Sequence, residues 1–187
     1  MIIDIVRHGE SEGNSKGIIQ GQYDLPLTEE GRLQASRLGN KLSGAYDGAF
    51  SSPLVRAYDT AKLALQAANS NIEITLLDEL MEMNFGVLQG QIFEQNDTAI
   101  RETFRRGKTD PSFRFEGGES GMEFVKRISQ GFQKITGSGY KHVIVFTHGG
   151  VIQTFNRVFL GIHEKVVTNT SISRFEFLEG KYTKLEN

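Results

Sequence analysis

The stretch Ile2-Ile3-Asp4-Ile5-Val6-Arg7-His8-Gly9-Glu10-Ser11-Glu12-Gly13-Asn14, written IIDIVRHGESEGN, decides how the rest of the chain is read. Residues 2–6 form a short apolar run with one Asp, which reads as a strand. It passes straight into a cation, an imidazole and a glycine, where the backbone must turn. A second run, His142-Val143-Ile144-Val145-Phe146-Thr147, is β-branched and reads as a buried strand. It too leads into His-Gly, at His148-Gly149.

Between these two strands the apolar spacing is helical. Thr28 is a plausible N-cap followed by Glu29 and Glu30, and Gly31, Ala35, Leu38 and Leu42 recur on one face, predicting a helix of about 14 residues. Ala49-Phe50-Ser51 is a short strand, after which Ser52 as cap and Pro53 at the first helical position start a helix that buries Leu54, Ala57, Ala61, Ala64 and Ala68. Residues 72–76 alternate like a strand. Ser120 caps a helix with Phe124, Val125, Ile128, Phe132 and Ile135 inward, and another begins at Gly149 with Val151, Ile152, Phe155 and Phe159 inward. The tail from Ser171 to Leu185 reads as two strands around Glu179-Gly180.

Strands alternating with helices of ten or more residues make the fold class α/β: a three-layer α/β/α sandwich with a mainly parallel central sheet. The chain has 187 residues, enough for a single domain spanning 1–187 with one core. Residues 83–118, with five glycines and a weak helical pattern near 92–106, are less regular. They read as a small insertion over the carboxyl ends of the strands, a substrate cap rather than a second domain. No solenoid repeat and no glycine-rich nucleotide fingerprint is present.

Composition narrows the chemistry. Hydrophobic residues at 38% and charged residues at 24% belong to an ordinary folded protein. The absence of cysteine removes disulfides, thiolate metal sites and thiol nucleophiles. No leader and no run of about 18 apolar residues is seen, so a cytoplasmic location is expected, without membrane association. A formal net charge of −2 provides no global attraction for nucleic acid, so any anion site must be a local cluster of cations.

In parallel α/β sheets, ligands bind beyond the carboxyl ends of the strands, and His8 and His148 both follow strands directly. The helix that starts after Ser51 adds an N-terminus, favourable to anions, and Arg56 just inside it. Arg7 and Arg56 then converge on the space between the imidazoles. Two guanidiniums gripping phosphoryl oxygens can supply the positive charge that a metal otherwise would, so neither metal nor cofactor is expected. A neutral His8 can attack phosphorus, giving a phosphohistidine, while Glu82 in Leu80-Met81-Glu82-Met83-Asn84-Phe85-Gly86 can protonate the leaving alkoxide and later take a proton from water. Glu79 is the competing carboxyl.

These residues resemble the histidine phosphatase superfamily, also called the phosphoglycerate mutase-like family. The resemblance rests on Arg7-His8-Gly9-Glu10-Ser11 with Asn14, on the stretch Gly21 to Gly31, on Ser51-Ser52-Pro53-Leu54-Val55-Arg56-Ala57, on Leu80 to Gly90, and on Thr147-His148-Gly149-Gly150, all in the family's order. It implies His8 as the phosphorylated nucleophile, Arg7, Arg56 and His148 as the phosphate pocket, and Glu82 as acid and base. Asn14 and Gln20 are implied as contacts to substrate oxygens, with Gly21 and Gly149 beside them. The family's mutases carry Arg after the acid-loop Glu and usually Asn after the second His-Gly, where this sequence has Met83 and Gly150. A mutase must hold a second anionic group, so the departures favour a phosphatase acting on a small phosphorylated metabolite.

Two alternatives stand beside that expectation: a phosphotransferase of the mutase kind, and a phospho-ligand-binding or phosphoprotein-directed regulatory module. His142 and His163 read as structural or exposed, too poorly spaced for a metal site. Arg101, Arg105 and Lys108 share a helix face, either solvated or attracting anionic substrates. Asn96-Asp97-Thr98 and Asn169-Thr170-Ser171 match a glycosylation pattern without a secretion signal to give it meaning.

Overall fold

In a computed structural model, residues 1–42, 45–93, 98–163 and 166–185 are described, without the side chain of Lys108. Strands β1 (Ile2–Arg7), β2 (Gly48–Ser51), β3 (Ile74–Leu76) and β4 (His142–Thr147) run parallel, while β5 (Ile172–Leu178) pairs antiparallel with β1 and β6 (Lys181–Lys184) antiparallel with β5. The order across the sheet is β3-β2-β4-β1-β5-β6. The β5–β6 hairpin turns at Glu179 and Gly180, both at positive φ (50° and 80°), the geometry of a two-residue turn that follows strand twist.

Alternation along the two central strands builds the layers. Ile3 and Ile5 of β1 and Val143 and Val145 of β4 join Phe124, Ile128 and Phe132 of α5 (Gly121–Thr136) and Val151, Ile152 and Phe155 of α6 (Gly149–Leu160). Val6, Ile144 and Phe146 point the other way, against Leu38 of α2 (Glu29–Gly39), which follows the one-turn α1 (Glu12–Ser15), and Ala61, Ala64 and Leu65 of α3 (Val55–Ala67). The expected sandwich of helices on both faces of a mostly parallel sheet is present.

Asp4 shares the second face and is fully buried, which a carboxylate tolerates only with partners. Arg174 donates Nε and Nη2 at 2.7 and 2.8 Å, the Tyr46 hydroxyl donates at 2.7 Å, and His142 Nε2 lies at 3.2 Å. Burial works to raise the Asp4 pKa, and these partners outweigh it, holding the carboxyl below its ordinary range. This network ties β1 to β5 at the sheet's far end from the strand carboxyl termini, and it gives His142 the structural role expected of it.

Several boundaries differ from the sequence reading. Helix α2 stops at Gly39, which packs against the α3 backbone; Leu42 reaches the same core from beyond the helix. β3 begins at Ile74, two residues later than expected, where its ladder with Ala49 of β2 starts. Helix α3 begins at Val55, with Leu54 rather than Ser52 at the cap position. Its Val55 N–H donates to the Asp24 carboxylate at 2.9 and 3.1 Å, so a side chain from another loop caps this helix and the Ser52 hydroxyl is left for a different partner. The helical segment in the irregular region is α4 (Thr98–Thr109), later than the 92–106 expected; residues 94–97, and with them most of Asn96-Asp97-Thr98, lie outside the described residues. Among the described residues, no helix is long and apolar enough to cross a membrane.

Candidate active site

The register of the parallel strands sets Arg7 beside Thr147 and Ser51 beside Phe146. The next residue of each strand, His8, His148 and Ser52, therefore emerges along one edge. All three are buried, at 3%, 0% and 0% exposure, and the two imidazoles stand 5.1 Å apart between ring centres.

His8 is held at both ends. Its N–H donates to Thr147 O at 2.9 Å, and its carbonyl accepts from Asn169 Nδ2 at 2.9 Å. Nδ1 lies 2.6 Å from Gly9 O, an acceptor that cannot donate, so the neutral ring carries its proton on Nδ1 and presents a lone pair at Nε2. Burial, then the charges of Arg56 and Arg7, push the His8 pKa well below the ordinary imidazole value; the ring is neutral at physiological pH.

His148 is oriented by Ser52. Ser52 Oγ accepts from Leu54 N at 3.3 Å and lies 2.9 Å from His148 Nε2, so the hydroxyl hydrogen is available for Nε2 and the ring proton falls on Nδ1. Nδ1 is buried without a hydrogen-bond partner, as are Nε of Arg7 and Nε of Arg56. Buried polar groups are ordinarily satisfied, so the orphan nitrogens of Arg7 and Arg56, which line one cavity, and of His148, packed against His8, suit an acceptor-rich ligand.

The two guanidiniums are fixed by backbone carbonyls. Arg7 Nη1 donates to Val167 O at 2.5 Å, and Arg56 Nη2 donates to Gly21 O at 2.6 Å. Gly21 adopts φ of +52° with Met83 O and the Gln89 side chain against its Cα, where a Cβ would clash, so its part in the site is to aim that carbonyl at Arg56. Arg56 is 1% exposed; burial lowers its pKa to about 10, against the opposing pull of Glu82 and Asp24, and it stays cationic at neutral pH. Gly149 starts α6 with the Arg7 side chain packed on it.

Glu82 enters from the loop after β3. Its Oε2 accepts from Gly150 N and its Oε1 from Met83 N, both at 2.9 Å. A Cβ at Gly150 would overlap the Glu82 carboxylate, so the glycine is what admits it. The loop itself is held by Arg127 of α5: Nη1 donates to the carbonyls of Glu79 and Met81 at 3.1 and 2.9 Å, Nη2 to Glu82 O at 3.1 Å, and Glu119 locks the guanidinium at 2.6 Å. Glu79 turns away to Lys134, at 2.5 Å.

Arg7, His8, Arg56 and Glu82 line one cavity of about 480 Å³, together with Asn14, Gln20, Gly21 and Gly149. His148 sits behind His8 and is not among the lining residues. Asn14 Oδ1 faces Ser11 N at 3.2 Å and Gln20 Oε1 lies 2.8 Å from Ser11 Oγ, which leaves their amide nitrogens for the cavity. The opposite wall comes from residues 83–118 and the loop after α6, including Phe85, Phe93 and Phe104. Arg101, Arg105 and Arg106 are not part of it: Arg105 pairs with Glu102 and Arg106 lies over Phe113. Among the described residues, no cluster of three or more His, Asp or Glu is arranged to hold a metal ion.

Ser52, Asp24, Arg127 and Asn169 escaped the sequence reading. Ser52 reads as an ordinary helix cap, and Arg127 follows Lys126 on a helix where a solvated charge is the usual inference. Asn169 carries only a glycosylation pattern. Asp24, like Ser52, sits inside a recognised stretch, but nothing local reveals that it caps α3.

Comparison with known proteins agrees with this arrangement. The family model "Histidine phosphatase superfamily (branch 1)" matches residues 3–186. The chain is 33% identical to 2,3-bisphosphoglycerate-dependent phosphoglycerate mutase of Rhizobium etli, over 89% of this chain and 82% of that protein. It is 32% identical to phosphoserine phosphatase 1 of Hydrogenobacter thermophilus, over 84% of this chain and 75% of that protein. Among solved structures, the alpha-ribazole phosphatase from Shigella flexneri superimposes with a TM-score of 0.85, covering 99% of this chain and 95% of that one, a likeness of fold at 23% identity. With its motifs gathered at one sheet edge and the family model spanning nearly its whole length, the chain belongs to the histidine phosphatase superfamily, branch 1.

Proposed function

We propose that the protein hydrolyses small-molecule phosphomonoesters through a phosphohistidine on Nε2 of His8, without a metal. The observation that carries this reading is His8 itself: buried, neutral, with Nδ1 committed to Gly9 O and Nε2 left as a lone pair between two cations. In the first step Nε2 attacks phosphorus, the P–O bond to the alcohol breaks, and Glu82 gives its proton to the departing oxygen. In the second, Glu82 takes a proton from water, which attacks the phosphohistidine and releases inorganic phosphate with His8 neutral again. Arg7, Arg56 and His148 Nδ1–H offer donors to the phosphoryl oxygens as charge redistributes, and the amides of Asn14 and Gln20 add two more.

Hydrolysis is favoured over transfer by two residues. Met83 is 9% exposed and packed in the core, so the position where mutases carry Arg provides no cation to the cavity. Gly150 admits the Glu82 carboxylate in the place where mutases usually carry Asn. Residues 83–118 act in this reading as the substrate cap, since they bring the aromatic wall over the strand ends.

A panel of phosphorylated metabolites, with inorganic phosphate release measured for wild type and His8→Ala, tests the proposal. Release that depends on His8 and is indifferent to EDTA is the expected result. Release that survives His8→Ala, or is abolished by EDTA, would overturn it; transfer to a sugar-acid acceptor in preference to water would replace hydrolase with mutase.

A further inference from the structure

The cavity is divided by chemistry. Its cationic lining residues among those described are Arg7 and Arg56, and both belong to the phosphate end. Within this cavity a leaving group with its own carboxylate or second phosphate meets no further positive charge among the described lining residues; Arg157 and His163 line the adjoining cavity of about 590 Å³, which shares Phe85, Phe104 and Gln153 with it. What faces it is apolar: Phe85, Phe93 and Phe104, with Ile18, Val166 and Val167 nearby. Phe104 sits at the centre, 5.0 Å from Phe85 at 48° and 5.5 Å from Phe93 at 68°. Phe115, buried to 1% exposure, backs the group at 5.2 Å from Phe85, edge-on.

Tilted and edge-on pairs are the arrangement that aromatic rings favour, and such an array extends naturally by one more ring. Two residues of the apolar wall, Phe93 at 39% and Val166 at 75%, are exposed on the rim, apolar surface that a bound ligand would cover. The array is anchored on both sides: Gly90 N and Phe93 N donate to Ile19 O and Gly17 O, each at 2.9 Å, tying the aromatic segment to the loop that carries Gln20.

We infer that the preferred substrate is a phosphomonoester whose leaving group carries an aromatic ring, seated against Phe85, Phe93 and Phe104 while its phosphate lies at His8. The inference rests on the phosphomonoesterase reading and names its substrate class. A ring buried there contributes about tenfold to a hundredfold in kcat/KM through apolar area and ring contacts.

The test compares 2-phenylethyl phosphate, ethyl phosphate and 3-phosphoglycerate, the first two chosen because their leaving alcohols are of similar basicity. Wild type is expected to favour the phenyl ester over ethyl phosphate by about tenfold or more in kcat/KM, and 3-phosphoglycerate to gain nothing over ethyl phosphate. Phe104→Ala and Phe93→Ala should each reduce the phenyl preference severalfold, chiefly through KM; Phe93, the more exposed, keeps the test valid if Phe104→Ala fails to fold. Equal use of the phenyl and ethyl esters, a preference for 3-phosphoglycerate, or a phenyl preference that survives Phe93→Ala would overturn the inference while leaving the hydrolase intact. Absence of His8-dependent release from all three esters would overturn the hydrolase reading and this inference with it.

Discussion

Ser52→Ala removes one hydroxyl from a place that water cannot refill, because Ser52 and His148 are both fully buried. It breaks the 2.9 Å contact to His148 Nε2, the hydrogen bond that fixes that ring, and the weaker 3.3 Å bond that Ser52 Oγ accepts from Leu54 N. The variant leaves Nε2 a buried acceptor without a donor, at a cost of about 1–3 kcal/mol. The ring can recover by moving its proton to Nε2, and in the proposed mechanism Nδ1 then has no proton to offer the phosphoryl group. The expected outcome is a loss of about 1–3 kcal/mol in urea denaturation together with a kcat lower by about tenfold to a hundredfold, the latter from one lost donor to the phosphoryl group. Nitrogen-15 NMR of labelled histidine reads the tautomer directly and should show the His148 proton on Nδ1 in wild type and redistributed in the variant. A wild-type kcat with an unchanged tautomer would refute this coupling, and Ser52 would then serve only to hold the turn before α3 through Leu54 N.

Other outcomes follow from the same geometry. His8 and His148 both have pKa values depressed in the folded state, so below pH 6.5 the unfolded chain binds protons that the folded one does not. Stability is therefore full above pH 6.5 and falls as pH drops, by up to about 1.4 kcal/mol per pH unit for each imidazole; pH-dependent denaturation of His148→Gln, with one such imidazole fewer, should give a shallower slope. Likewise the acid limb of kcat/KM should lie below pH 6.5, since the free enzyme keeps His8 neutral there. Arg127→Met should release the loop that carries Glu82 and lower kcat by about a hundredfold for alkyl phosphates, with a smaller loss for an ester such as p-nitrophenyl phosphate, whose leaving group needs no proton. Gly150→Asn should displace the same carboxylate without loss of fold, measured as an unchanged denaturation midpoint with kcat reduced by about tenfold or more.

How much of this was legible in the sequence follows from the range of the interactions. Strands β1 and β4 and their His-Gly exits are local patterns, and parallel register alone brings His8 and His148 to one edge. Helix α5 announces itself through Ser120 and its apolar face, and the structure adds Glu123, which completes a capping box with Ser120. The first residue of α3 was misplaced because its cap, Asp24, comes from 31 residues away. The same distance effect hid Arg127, whose value lies in carbonyls 45 to 48 positions earlier, and Asn169, 161 positions from His8. Residue types at strand ends disclose the phosphoryl chemistry; the groups that aim them are set by tertiary contact, and the aromatic wall becomes visible only when α4 and the loops around it are folded over the site.

The proposed hydrolysis passes through a covalent bond from phosphorus to Nε2 of His8. Rapid acid-free quenching during turnover of a phosphomonoester, followed by peptide mass spectrometry, measures it directly. An acid-labile phosphate is expected on the peptide carrying His8, with the isomer substituted at Nε2, accumulating at the steady state and absent in His8→Asn. Full-rate release of phosphate with His8 never labelled, or label on His148 in its place, would contradict it.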